Sequence, residues 1–323
     1  MIVVTGGAGF IGSAMVWKLN NEGVDDIIIV DELGEAEKWR NLAKRQYADY
    51  LHKDEFLKMI LAEQLPFNVR ALIHMGACSS TTERNADYLM ENNYHYTCRL
   101  AAWALKHNVR FIYASSAATY GDGSWGFSDA DEAVKTLRPI NMYGYSKQLF
   151  DLWVLRQRAE HRIAGVKFFN VFGPQEYHKE DMVSVVHKAF HQIRERGRVR
   201  LFKSHRPDYG DGGQMRDFVY VKDCVDVLWW LLKNREVNGI FNLGTGRART
   251  WNDLVAAVFT ALGREVAIEY IDMPPAIRDQ YQYFTEAEMD KLRNTGIALQ
   301  FRTLEAAVHD YVTGYLQTAD PYL

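Results

Sequence analysis

At 323 residues the chain is long for one simple domain, and a hydrophobic content of 48% supplies the apolar mass for a large core or two closely joined lobes. A charged content of 24% and a net charge of −3 argue against a nucleic-acid surface or a polybasic membrane patch. No apolar run reaches bilayer length, and three cysteines without CxxC spacing (Cys78, Cys98, Cys224) exclude a disulfide framework or zinc knuckle; no metal site is expected, and Cys98 and Cys224 read as small buried apolar residues.

The chain opens on a strand pattern, Met1-Ile2-Val3-Val4-Thr5, that runs straight into glycines at positions 6, 9 and 12. A strand this early leaves no room for a signal peptide, so the expected location is the cytoplasm. Gly6 suits a tight turn out of the strand, Gly9 a close backbone approach to a pyrophosphate, and Gly12 a helix packed tightly behind the loop. An amphipathic run follows (Ile11, Met15, Val16, Leu19), and the next strand, Ile27-Ile28-Ile29-Val30, ends on Asp31. That acid stands where an adenosine ribose hydroxyl needs an acceptor.

Apolar strands at Ala71–Met75, Phe111–Ala114 and Val166–Asn170 alternate with helical stretches such as 86–107, long enough to cross over and make the next strand parallel. The expected fold class is therefore α/β, a Rossmann-type doubly wound parallel sheet with ligands at its carboxyl edge. Between Gly173 and Asp217 the alternation fails, and the passage reads as a long functional loop. Val219 to Val221 and Val225 to Leu232 read as a return to the helix layer, and Ile240–Gly244 as a further strand. The expected organisation is a dinucleotide-binding domain of residues 1–170 plus about 218–245. A smaller, discontinuous α/β substrate lobe covers about 171–217 plus 246–323.

Tyr143 and Lys147 lie four apart, one turn on the same helix face. A free phenol is a poor base at neutral pH, and a nearby ammonium favours the phenolate, so the pairing is expected to lower the pKa of Tyr143. Lys147 can also hold a cofactor ribose. Ser116, at the end of the Phe111 strand, can donate a hydrogen bond to the substrate oxygen whose proton Tyr143 handles.

With these residues in order, the chain resembles the extended short-chain dehydrogenase/reductase family. The matching stretches are Thr5–Gly12, Ser116 with Tyr143 and Lys147, Asn170–Pro174, Arg216–Val221 and Asn242–Gly246. Such proteins bind NAD or NADP and act on nucleotide sugars. Within the family, Gly76–Glu83, Asn92-Asn93-Tyr94, Tyr113–Gly121, His178-Lys179 and Gln280-Tyr281-Gln282 most resemble isomerases that epimerise C6″ of an ADP-heptose for lipopolysaccharide inner core. That resemblance implies oxidation to a 6″-ketone and reduction from the other face, with Lys179 as a second acid/base facing Tyr143. It also implies a homo-oligomer, in the form of a homopentamer.

For the cofactor, the resemblance implies contacts from Gly6, Gly9, Phe10, Ile11 and Gly12, then Asp31, Glu32, Lys38 and Lys53. Met75, Gly76, Ala77, Cys78 and Ser79 follow, with Asn92, Lys147 and Val171. Asp31 alone argues for NAD, because a carboxylate repels a 2′-phosphate. Lys38 and Lys53, with Arg40 nearby, can offset that charge, and the resembling enzymes hold NADP with lysines at the first two positions; the expectation is NADP, with NAD as the alternative. For the ADP-heptose, the implied contacts are Ser116, Asn170, Asp181 and Lys188, then Phe202, Lys203, Ser204 and His205, with Arg216 and Tyr281. Asp181 and Lys188 stand where the resemblance leads one to expect Ser and His, and 206–214 is an insertion. A 4,6-dehydratase needs an acid and a base beside the serine, where this chain has Ala117 and Ala118. A UDP-hexose 4-epimerase of the same fold remains the alternative. A cofactor sensor that kept only the glycine loop could dispense with Tyr143 and Lys147.

Overall fold

The computed structural model describes residues 1–278, 281–298 and 300–323; Gln280 lies outside them. The first half contains β1 (Ile2–Thr5), α1 (Phe10–Asn21), β2 (Ile27–Asp31), β3 (Asp49–His52), α2 (Lys53–Leu61) and β4 (Ala71–His74). Next come α3 (Ala86–Leu89) and α4 (Tyr96–Lys106), joined by a π-turn over Met90–His95, then β5 (Arg110–Ser116), α5 (Asp131–Val134), α6 (Met142–Arg156) and β6 (Ile163–Phe168). The second half holds β7 (Asn170–Phe172), α7 (Val185–Arg196), β8 (Val199–Phe202), β9 (Met215–Tyr220), α8 (Val221–Lys233) and β10 (Gly239–Leu243). It continues with β11 (Ala248–Thr250), α9 (Trp251–Ala261), β12 (Ile268–Ile271) and the short helices α10 (Pro275–Arg278), α11 (Asp290–Arg293) and α12 (Leu304–Tyr311).

Strands β1, β2 and β4 are buried at every position, as expected of parallel strands covered by helices on both faces. They belong to a seven-stranded sheet in the order β10-β6-β5-β4-β1-β2-β3. All its pairings are parallel, with Thr5 opposite Val30 and His74, and Ser116 opposite Phe168. The chain reverses direction across the sheet at β1, so the glycine loop, Asp31 and Gly76 meet at one crevice. Two small sheets, β11-β9-β7 and β12-β8, lie beyond that edge.

Four sequence expectations about the fold need correction. The strand read as Val166–Asn170 breaks at Phe169, whose N–H donates to the Leu243 carbonyl at 3.1 Å while Asn170 pairs with Phe218 in the second sheet. The passage from Gly173 to Asp217 is not a long loop: it contains α7, capped by Ser184, with Val186, Ala189, Phe190 and Ile193 buried at helical spacing, and then β8. Val219 and Tyr220 extend β9 rather than the helix layer, which begins at Val221. Among the cysteines, Cys224 is buried as expected but Cys98 is only half-buried.

Candidate active site

The floor of the site is the turn after β1. Gly6 adopts φ +64°, and a Cβ there would lie 2.6 Å from Gly76 backbone; a Cβ on Gly12 would lie 2.0 Å from the Gly6 carbonyl oxygen. No side chain fits either place. The first N–H groups of α1 therefore stand open above a bare backbone cradle, which suits a pyrophosphate. Asp31 is braced at the end of β2: its carboxylate accepts from the Ala8 and Glu32 N–H groups at 2.9 and 2.7 Å and pairs with Lys38 at 2.7 Å. Lys53 pairs with Glu32 at 2.5 Å and donates to Asn92 at 2.9 Å. Each acid at this strand end thus carries its own lysine, and Arg40 turns away to pair with Glu37.

Two adjoining cavities open here. The larger, of about 500 Å³, runs from the glycine loop past Ser116, Tyr143 and Lys147 to Asn170 and Lys179. The smaller, of about 180 Å³, holds Glu32, Lys53, Cys78 and Asn92 and shares Gly6, Asp31, Lys38, Gly76 and Ala77 with the first. Every residue that the sequence assigns to a cofactor lines one or the other. Bare glycine cradle, elongated cleft and braced Asp31 together fit a dinucleotide.

Helix α6 starts at Met142 because the Asn141 side chain accepts from the Gly144 N–H at 2.8 Å. Tyr143 and Lys147 then share the face toward the cleft. Lys147 Nζ donates to the Ala114 carbonyl at 2.8 Å, and burial pushes its ammonium down to about 8, opposed by the charge of Asp151. The pKa of Tyr143 is raised, not lowered as the spacing with Lys147 suggested. Burial of the phenol outweighs the opposing Ser116 hydroxyl, and the Lys147 ammonium is engaged with the β5 backbone.

Lys179 enters from the turn Tyr177–Met182 after β7. Its ammonium lies 5.2 Å from the centre of the Phe10 ring, and burial lowers its pKa against the pull of Glu176. Tyr143 and Lys179 therefore reach one cleft from different elements with proton affinities displaced in opposite directions, the pattern of an acid and a base.

The remaining assigned residues lie unevenly. Asn170 and Val171 line the cleft. Arg216 is buried behind it, its guanidinium 5.7 Å from the Trp251 ring and 5.4 Å from the Tyr281 ring, while Phe202 meets Tyr281 edge-on. Burial lowers the Arg216 pKa from a value so high that it stays cationic. Lys203 pairs with Asp272 at 3.3 Å, the Ser204 N–H donates to Asp211 within the 206–214 insertion, and the His205 N–H donates to Tyr283. Asp181 and Lys188 are exposed and stand outside the cleft wall, Lys188 Nζ donating to the Asp181 carbonyl at 2.6 Å. Sequence reasoning gave no part to Trp251 and Leu254, which also line the cleft; nothing in their spacing marks them. His178 also lines it, held by Asn41, with burial pushing its imidazole down to about 4.

The model of the NAD dependent epimerase/dehydratase family matches residues 2–244. The ADP-L-glycero-D-manno-heptose-6-epimerase of Nitratidesulfovibrio vulgaris (strain DP4) is 62% identical over 323 residues, all of both chains. Its counterpart in Fusobacterium nucleatum is 48% identical over 332 aligned residues, again all of both. Among solved structures, Helicobacter pylori ADP-L-glycero-D-manno-heptose-6-epimerase superposes with a TM-score of 0.80 at 28% identity, covering 97% of this chain and 95% of that one. A UDP-N-acetylglucosamine 4-epimerase from Methanobrevibacter ruminantium has the same fold, with a TM-score of 0.80 at 23% identity over 96% of each chain.

Proposed function

We propose that this chain, which belongs to the NAD dependent epimerase/dehydratase family, epimerises C6″ of ADP-D-glycero-D-manno-heptose to the ADP-L-glycero-D-manno form for lipopolysaccharide inner core. The observation that carries the reading is the single cleft shared by Tyr143 and Lys179, one proton affinity raised and the other lowered. Full-length relatives bearing that activity favour it over a UDP-hexose 4-epimerase.

When bound, the nicotinamide supplies a hydride acceptor that returns the hydride to the opposite face of the 6″-ketone. The glycine loop and the N-terminus of α1 hold the pyrophosphate, and Asp31 and Lys147 hold the two riboses. Lys38 and Lys53 offset Asp31 and Glu32 enough to admit a 2′-phosphate, so NADP is the cofactor we assign, tightly held through the cycle. Tyr143 and Lys179 exchange the C6″ hydroxyl proton on the two faces of the sugar, and Ser116 donates a hydrogen bond to the same oxygen. Arg216, with Tyr281 and Phe202, takes the ADP end; Asn170 takes the sugar. The dinucleotide domain comprises 1–170 plus about 218–245, the substrate lobe comprises the rest, and the assembly is a cytoplasmic homopentamer.

The test is NMR of the product formed from ADP-D-glycero-D-manno-heptose without added cofactor. Inversion at C6″ is expected; no inversion, with turnover of UDP-galactose instead, overturns the reading. Cofactor released on denaturation decides the other question, and NAD alone would sink the NADP assignment.

A further inference from the structure

One turn beyond Lys147 on α6 sits Asp151, which the chemistry above does not use. Its carboxylate and the ammonium of Lys167 on β6 are 2.6 Å apart, and both side chains are 0% exposed. Asp151 also accepts from the Tyr113 hydroxyl at 2.9 Å and the Ser115 hydroxyl at 2.7 Å. Lys167 donates to Thr119 Oγ1 at 2.8 Å, and that hydroxyl donates to the Ser116 carbonyl at 2.8 Å. The pair thus grips the tip of β5 at two successive residues, Ser115 directly and Ser116 through Thr119. Ala114, the residue before them, holds the Lys147 ammonium. Stability alone is a weak reason for so buried a pair, since apolar residues of similar volume often serve as well.

We propose that Asp151 and Lys167 are positioning residues for the epimerase reaction: through Thr119 they hold the Ser116 carbonyl, and with it the backbone that carries the Ser116 hydroxyl, and Asp151 places a carboxylate one turn from Lys147. This rests on the assignment of Tyr143, Lys147 and Ser116 above. The other titratable groups facing this part of the site are His74 on β4, Cys78 from the loop after it, Tyr113 on β5 and Tyr120, whose ring centre lies 5.3 Å from the Lys167 ammonium, with Asp129 and Asp131 beyond. Of the charges around Lys147, that of Asp151 acts on it most strongly.

The test combines two measurements on the purified holoenzyme: the pH–rate profile, and an NMR titration of the lysine ammonium groups assigned against Lys147→Met, which needs no substrate. A negative charge one turn away raises the proton affinity of Lys147. Asp151→Asn should therefore move the Lys147 titration and the alkaline limb of the profile to lower pH by about one unit. A merely structural role would lower activity at every pH and leave both in place. Should the single variant fail to fold, Asp151→Asn/Lys167→Met leaves no unmatched charge; losing the Lys167 cation offsets part of the effect, so the movement should be in the same direction and smaller. Thr119→Val keeps the charges and cuts the link to Ser116: kcat should fall about tenfold with KM, bound cofactor and profile unchanged, and Thr119→Ser should restore it to within about twofold. An unmoved titration, a Thr119→Val enzyme within twofold of the parent, or a Thr119→Ser variant no better than Thr119→Val overturns the proposal. A parent chain with no epimerase activity counts against the catalytic assignment instead, while the titration still judges Asp151.

Discussion

The two walls of the cleft are built by different means. Tyr143, Lys147 and Ser116 stand on a capped helix and a sheet strand, locked from behind by buried hydrogen bonds. Lys179 stands on a six-residue turn broken at Glu180, with φ 48° and ψ −123°, and preceded by Gln175 at φ 81°. Backbone in such regions persists only when its surroundings over-determine it. Here the surroundings are side chains from distant parts of the chain. Buried Glu176 accepts from Ser184 N–H and Oγ at 2.6 and 2.7 Å and from the Tyr311 hydroxyl at 3.0 Å. Gln175 is tied to Asn41 and Leu323, and the Tyr177 hydroxyl donates to the Pro321 carbonyl at 2.6 Å. One wall is held by regular secondary structure, the other by side-chain ties, and the second can be loosened without disturbing the first.

If both walls transfer protons, Tyr143→Phe and Lys179→Met should each cost at least about 10³-fold in turnover while bound cofactor is retained, read by product NMR and released cofactor. Full activity in Lys179→Met would reduce the comparison to a single-base mechanism. A smaller effect separates the walls by pH. If Lys147 serves as an ammonium, the burial that pushes it down to about 8 should make turnover decline above that pH. Lys147→Arg, whose guanidinium does not titrate there, should push the alkaline limb upward even where kcat is reduced.

Smaller still is the effect of loosening the irregular wall. Tyr311→Phe removes one hydrogen bond to Glu176 and should cost about 1 kcal/mol of stability. It should slow turnover several-fold with the Lys147 titration unchanged; a shift in that titration would mean that the walls are coupled. The smallest expected effect concerns the sheet beneath both. Burial pushes His74 down to about 3, between the Thr5 and Thr97 hydroxyls, so it is neutral in the fold while an unfolded His protonates near 6.5. Its contribution is complete above about pH 6.5 and is lost as pH falls toward 3. His74→Gln should flatten the acid side of a thermal-midpoint profile by about a few degrees.

Much of the regular wall was legible in the chain because its signals are local. The glycines follow a strand, Asp31 ends one, and Tyr143 and Lys147 are a helical turn apart; periodicity and spacing report such relations directly. The irregular wall offered no such pattern. Gln175 meets Asn41 and Leu323, and Glu176 meets Tyr311, across sequence separations of 134 to 148 residues, which no spacing rule reaches. Lys179 was found only through resemblance, and Trp251 not at all.

By itself the sequence determined strands β1, β2, β4 and β5, the glycine cradle and the Tyr143/Lys147 face, since steric fit and helical period are properties of neighbouring residues. Tertiary structure decided the rest. It split the strand at Phe169 between two sheets and gave Asp31 and Glu32 each its own lysine. It also reversed the expected shift of Tyr143, because the strength of a charge depends on burial and on where its partner points, here toward the Ala114 carbonyl.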